Sequence, residues 1–285
     1  MSDMPKTTGE AFARIGGFKD GGVTIEDLKV LALAEAIGKA LYDDLATLQG
    51  SEIVHVDYRI TANDWLLPDS LARQGAKLTI VANPNNPSGT LVPVAELRRL
   101  ADQVEGILVV DEAYVDFAGS DDDGTGASLI AHLDAHPNLV ILRTFSKSYS
   151  LAGARLGLLF AHPELVAHLM KVKDSYNVNH LSQAAGLAAL EDRAHHRQLI
   201  AVTLAERARL ETGLAALGWT WPRSAANFLL CEVGPRAKEI LDALKARGLL
   251  VRWWNRPDLV TKLRITVGNR ADNDRLLAAL REIAG

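Results

Sequence analysis

The sequence predicts an α/β fold, with a mostly parallel sheet in a large domain and a smaller α/β domain at the C-terminal end. Three observations carry this. Between about residues 50 and 165, short apolar runs rich in β-branched residues alternate with helical patterns. Runs such as "GILVVD" and "NLVIL" are almost continuously apolar, which marks strands covered on both faces. Beyond a long helical stretch, a second and shorter series of runs and helices follows.

In chain order, "EIVHVDY" (52–58) and "KLTIVANP" (77–84) are expected strands, and "PVAELRRLADQVE" (93–105) is a helix. The strand "GILVVDEAY" (106–114), a helix at "SLIAHLDAH" (128–136), and the strands "NLVILRTF" (138–145) and "RLGLLFAH" (155–162) complete the first series. A helical stretch runs from about Pro163 to Gly218, interrupted by "YNVN" (176–179). The second series is "NFLLCEVG", the helix "AKEILDALKARG", "LLVRWW", "KLRITVG" and the helix "NDRLLAALREIAG". The boundary is placed inside a helix, giving domains 1–195 and 196–285. "GSDDDGTG" (119–126) has calcium-loop acids but no glutamate at the closing position, so it reads as a solvated loop.

Composition narrows the function. The 285 residues are 48% hydrophobic with a net charge of −4, and both signs are interspersed. That argues against nucleic acid and an anionic membrane surface as partners. The one cysteine, Cys231, lies within "NFLLCEV", as a buried apolar residue would, and fits a reducing compartment. The opening "MSDMPKTTGEAFARIGG" has no apolar h-region, and no uncharged run is long enough to span a bilayer. The chain is expected to be a cytoplasmic protein.

In buried parallel sheets, ligands bind beyond the carboxyl ends of the strands. Asn86, Asp111 and Lys147 all fall there. Asn86 lies in "NPNNPSGT" (83–90), where Asn-Pro pairs and a Pro-Ser-Gly turn fix a non-helical geometry. Asp111 ends an apolar strand, where a carboxylate needs a cation or a donor. Lys147 lies among small hydroxylated residues in "RTFSKSYSLAGARLG" (143–157), with Arg155 available to hold an anion. Pyridoxal 5'-phosphate needs this set: a lysine for a Schiff base, a carboxylate to keep the pyridine nitrogen protonated, donors to the ring oxygen, and an arginine with hydroxyls for the phosphate. Thr144 and Ser146 supply hydroxyls. The eight histidines show no metal-ligand spacing, and His195 and His196 point to different helix faces.

"NPNNPSG", "DEAYVDF", "TFSKSYSLAGARLG", "KVKDSYNVNHLSQAA" and "KLRITVGNRADNDRLL" together resemble the motifs of fold type I pyridoxal-phosphate aminotransferases, and within them the histidinol-phosphate aminotransferases most. The resemblance runs from about Tyr42 to the C-terminus. It implies that Lys147 is the Schiff-base lysine and acid/base catalyst, that Asp111 pairs with the pyridine nitrogen, and that Asn86 and Tyr114 bond the ring oxygen. Thr144, Ser146 and Arg155 would hold the phosphate. Arg264 matches the arginine that takes the substrate carboxylate, and Arg252 a position associated with the substrate's phosphate. Asn177 lies in a motif lining the active site. From the residues alone, Arg264 could equally be an exposed edge residue, and Arg252 a surface arginine stacked on Trp253 or Trp254.

The resemblance implies a homodimer that exchanges the amine of histidinol phosphate with 2-oxoglutarate. Aromatic amino acid transamination and threonine-phosphate decarboxylation are the alternatives within the same chemistry. A non-catalytic binding module is the alternative outside it. The family's N-terminal arm and its Gly-Ser-acidic phosphate turn have no counterpart; "GGVTIEDLK" (21–29) is a poor substitute, and Lys39 stands where the family has an aromatic stacked on the ring. Residues 1–40 are therefore expected to be an incomplete front part, with chain breaks, in a dimer whose cofactor site is empty or weakly occupied.

Overall fold

The computed structural model describes residues 30–32, 38–61, 63–118, 125–173 and 175–284; for 30–32, 38–42, 125 and 284 it describes the backbone alone. The expectations for "GGVTIEDLK", the Lys39 side chain, chain breaks within 1–40 and most of "GSDDDGTG" lie outside the described residues.

The main sheet has five strands: β1 (Val30–Ala32), β4 (Leu78–Ala82), β5 (Ile107–Asp111), β6 (Leu139–Thr144) and β7 (Gly157–Ala161), side by side in that order. The first four are parallel, and β7 runs antiparallel to β6. The continuous apolar runs do what such runs require. Alternate residues of β4–β6 enter two cores, one containing Val81, Leu108, Val110, Leu139 and Ile141, the other Ile80, Ile107, Val109 and Val140. Helix α2 (Val94–Gln103) seals the first face with Leu97, Leu100 and Ala101, and α3 (Pro163–Val172) the second with Leu165.

Three expected elements differ. "LLVRWW" is not a strand and carries only a single bridge, from Arg252 to Arg264. "EIVHVDY" is not a strand. Val56 and Tyr58 are buried as an alternating segment would bury them, but the edge of β4 is taken by β1. The chain pairs only further on, where β2 (Arg59–Ile60) meets β3 (Trp65–Leu66). "SLIAHLDAH" is not an α-helix but a single 3-10 turn, Ile130–His132. Pro137 disfavours helix at His136, and Ser128 and Leu129 are held by the distant Glu112.

The helical stretch breaks where "YNVN" predicts. Helix α3 ends at Val172, Tyr176 adopts φ 63°, and α4 (His180–Glu191) starts with the Asn179 side chain accepting from the Ser182 amide. Helix α5 (Arg193–Ala215) follows after Asp192, which caps it. Helix α1 (Gly38–Leu48) lies ahead of the sheet's second strand.

The second unit pairs β8 (Phe228–Glu232) antiparallel with β9 (Lys262–Thr266) and packs α6 (Ala237–Ala246) and α7 (Arg270–Ala284) against them. Leu229, Cys231, Leu263 and Ile265 join Leu210 and Leu214 of α5, Leu244 of α6 and Leu280 of α7 in one core. Leu230 points the other way, into the core of the main sheet, together with Trp254 and Leu259. The two sheets are thus packed on shared apolar residues, which sets what their strand ends can bring together.

Candidate active site

Asn86 follows β4 in a turn fixed by buried amides. Asn83 donates to the Val92 carbonyl and accepts from the Val92 amide, while Asn85 Oδ1 accepts from the amide and hydroxyl of Ser88. Gly89, at φ 79°, leaves room for Ser224, whose side chain a Cβ there would strike. Its carbonyl accepts from the Ala225 amide at 2.7 Å, so the turn is tied to the segment leading into β8.

Asp111 is the last residue of β5, between Ala82 of β4 and Leu142 of β6, and its Oδ1 accepts from the Ala113 amide at 3.1 Å. Thr144 ends β6, and its Oγ1 accepts from the Ser146 amide at 3.1 Å. Lys147 follows in a tight turn whose carbonyl accepts from Ser150. Its Nζ stands 5.3 Å from the centre of the Tyr114 ring and, among the described residues, has no hydrogen-bond or ion-pair partner.

A continuous set of contacts runs from Lys147 to the second sheet. The Tyr114 ring meets Phe228 edge to face at 5.1 Å. The Arg264 guanidinium lies 4.8 Å from the Phe228 ring centre and 5.9 Å from that of Trp254, and donates from Nη1 to Asn86 Oδ1 at 2.6 Å. Burial is the main cause pulling its pKa below the usual arginine value; Tyr114 opposes this, and the Arg252 charge adds to it. Arg264 Nε is buried without a partner among the described residues. A charged fork held in this way, with donors to spare, is suited to receiving an anion.

Lys147, Tyr114, Asn86 and Arg264 are thus brought together, with Asp111 and Thr144 at neighbouring strand ends. Arg252 exchanges backbone hydrogen bonds with Arg264, and its exposed guanidinium lies 5.4 Å from the Trp254 ring centre. Arg155 and Asn177 are exposed and make no described contact with this set. Arg155, in the left-handed region at φ 52°, donates to the Ala152 carbonyl at 2.9 Å, and Asn177 accepts from Lys173 at 3.0 Å. The Ser182 hydroxyl donates to the Ala154 carbonyl at 2.6 Å and so ties the start of α4 to the Arg155 turn.

Sequence reasoning missed the charges tied to the lysine turn. Glu112, Arg143 and Asp116 form a bonded row that reaches the turn through Ser148. The signal was an acid directly after one apolar strand and an arginine near the end of the next, a pair that the sheet register makes neighbours. Phe228 and Trp254, the rings flanking Arg264, carried no signal beyond their apolar runs.

A family model described as "Aminotransferase class I and II" matches residues 33–280. Among curated proteins, histidinol-phosphate aminotransferase 1 of Nostoc sp. is 40% identical over 244 residues, covering 85% of this chain and 67% of that protein. The histidinol-phosphate aminotransferase of Roseiflexus castenholzii is 41% identical over 252 residues, covering 86% and 66%. This chain therefore spans about two thirds of those relatives. Among solved structures, histidinol-phosphate aminotransferase of Sinorhizobium meliloti in complex with pyridoxal-5'-phosphate aligns with a TM-score of 0.80 at 26% identity, covering 97% of this chain and 74% of that one.

Proposed function

The chain belongs to the class I and II aminotransferase family, and on that premise we propose that it is a pyridoxal-phosphate-dependent enzyme exchanging the amine of histidinol phosphate with 2-oxoglutarate. The observation that carries the chemistry is the pairing of two cations facing one Tyr114–Phe228 contact. Among the described residues, Lys147 Nζ lacks a polar partner and the buried Arg264 Nε is unpaired. The donor set fits the cofactor: a lysine amine beyond β6, a carboxylate at the end of β5, and an amide and a phenol next to them. Asp111 would hold the pyridine nitrogen, Asn86 and Tyr114 the ring oxygen, and Thr144, Ser146 and Arg155 the phosphate. Bound there, pyridoxal phosphate supplies an electron-withdrawing ring that carries the amine between substrates.

The residues of the chain then divide the work. Lys147 Nζ would take the proton from the substrate's α-carbon and, in the reverse half-reaction, return one to it. Asp111 would hold the ring nitrogen in its protonated form. Arg264 orients a keto acid through its carboxylate, and the Phe228 and Trp254 rings exclude water around that guanidinium. Arg252, exposed beside Trp254, is the residue proposed for the phosphate of the amine donor. Asn177 is proposed as a lining residue of the same site.

We also propose a cytoplasmic homodimer. Exposed Leu158, Leu159, Met170 and Leu187 on β7, α3 and α4 support association, and sedimentation of the purified chain measures it.

The substrate reading is tested by a donor panel assayed with saturating pyridoxal phosphate and 2-oxoglutarate: histidinol phosphate, histidinol, the aromatic amino acids and threonine phosphate. Histidinol phosphate is expected to give the highest kcat/KM. A better rate with an aromatic amino acid, or carbon dioxide release from threonine phosphate, would overturn the substrate assignment.

A further inference from the structure

Ser148, directly after Lys147, is buried and donates its hydroxyl to Asp116 Oδ2. Oδ1 of the same carboxylate accepts from Arg143 Nη1 at 3.0 Å, and Arg143 Nε donates to Glu112 Oε2 at 2.9 Å. Glu112 is 1% exposed, follows Asp111 directly, and also accepts from the Ser128 hydroxyl at 2.7 Å and the Leu129 amide at 2.8 Å. A guanidinium between two carboxylates therefore connects the neighbour of Lys147 with the neighbour of Asp111. His196 completes the surroundings: its Nε2 lies 3.8 Å from Asp116 Oδ2, and its ring stacks on Tyr149 with centroids 3.8 Å apart.

Stability alone does not explain this row. Buried ion pairs return little more than the desolvation they require, and apolar residues of similar shape often serve equally well. The other described hydrogen bonds of the lysine turn are local ones, from Ser146 to Thr144, from Ser150 to Lys147 and from Leu151 to Phe145, and one from the Phe145 amide to the Leu156 carbonyl, which holds the start of the turn but not its Lys147–Ser148 end. Since Lys147 Nζ has no polar partner among the described residues, its place depends on how the turn itself is anchored.

The geometry points to Asp116 as a positioning residue for Lys147: it gathers Ser148 and Arg143 and, through Glu112, fixes the Lys147 amine relative to the Asp111 carboxylate. This rests on the reading of Lys147 and Asp111 given above.

The test uses the full chain loaded with pyridoxal phosphate, comparing Asp116→Ala, Asp116→Glu and Ser148→Ala with the parent. Two quantities are read: the pH midpoint of the visible absorbance band, and amide hydrogen exchange across residues 145–151. Asp116→Ala and Ser148→Ala are expected to move the midpoint by roughly half a pH unit or more. Exchange in the turn should rise by about tenfold, with β5 unchanged. Asp116→Glu should restore part of both. Ser148→Ala removes one hydroxyl, so it decides the matter if Asp116→Ala fails to fold. Folded variants with the parental midpoint and exchange, whatever their melting temperature, would overturn the role of Asp116. A band that persists in Lys147→Ala would instead refute the reading of Lys147, and the inference with it.

Discussion

Arg264 Nη1 donates to Asn86 Oδ1 at 2.6 Å, joining the second sheet to the turn after β4 across 178 positions of sequence. The arginine thereby lies against Phe228, whose ring meets the Tyr114 ring under Lys147, with its Nε still unpaired among the described residues. Lysine at this position would keep the charge but lose the fork. Arg264→Lys is expected to lower kcat/KM for 2-oxoglutarate by at least about tenfold, equivalent to ~1.4 kcal/mol. Single-turnover rates at subsaturating keto acid measure this, and an unchanged rate would remove Arg264 from the site.

Arg207 of α5 holds the two units in register. Its Nη1 donates to the Phe117 carbonyl at 3.2 Å and to the Ala226 carbonyl at 2.8 Å, just past Tyr114 on one side and just before Phe228 on the other. Arg207→Met leaves both carbonyls without that donor and should reduce stability by about 1–3 kcal/mol. The midpoint of urea unfolding is the readout, with the slope unchanged.

Burial pushes the Glu112 carboxyl above the usual glutamate value of 4.5, against the opposing pull of Arg143, the Leu129 amide and the Ser128 hydroxyl. A raised folded-state pKa means that the folded chain binds this proton more tightly than the unfolded one. The stability that the proton contributes is complete below 4.5 and is lost as pH rises through the raised value. Glu112→Gln cannot titrate there. The unfolding free energy of the parent minus that of the variant should therefore fall across that window as pH rises; a flat or rising difference would contradict the assignment.

Cys231 is fully buried, and burial pushes its thiol far above the usual range. A thiol reagent at neutral pH should leave the folded chain unlabelled and modify one thiol per chain in denaturant.

The strand ends were legible, and with them the residues proposed for the site. The continuous runs of β4, β5 and β6 marked a sheet buried on both faces, and position singled out Asp111 at the end of β5 and Asn86 and Lys147 beyond β4 and β6. Periodicity could not reveal what depends on long-range partners. "EIVHVDY" has strand composition, yet the place beside β4 belongs to β1. "SLIAHLDAH" has helical spacing, yet Glu112 binds its first residues from another element. The same limit hid the Glu112–Arg143–Asp116 row, since its members are charged residues within apolar runs and their pairing exists only once β5 and β6 are side by side.

The central claim is that the Lys147 amine carries the cofactor. The chain is mixed with pyridoxal phosphate, its visible band is recorded, the adduct is fixed with borohydride, and the labelled peptide is identified by mass spectrometry. The account predicts one labelled peptide, containing Lys147, together with loss of the band and of turnover in Lys147→Ala. Label on another lysine, or a Lys147→Ala variant that keeps both band and turnover, would contradict it.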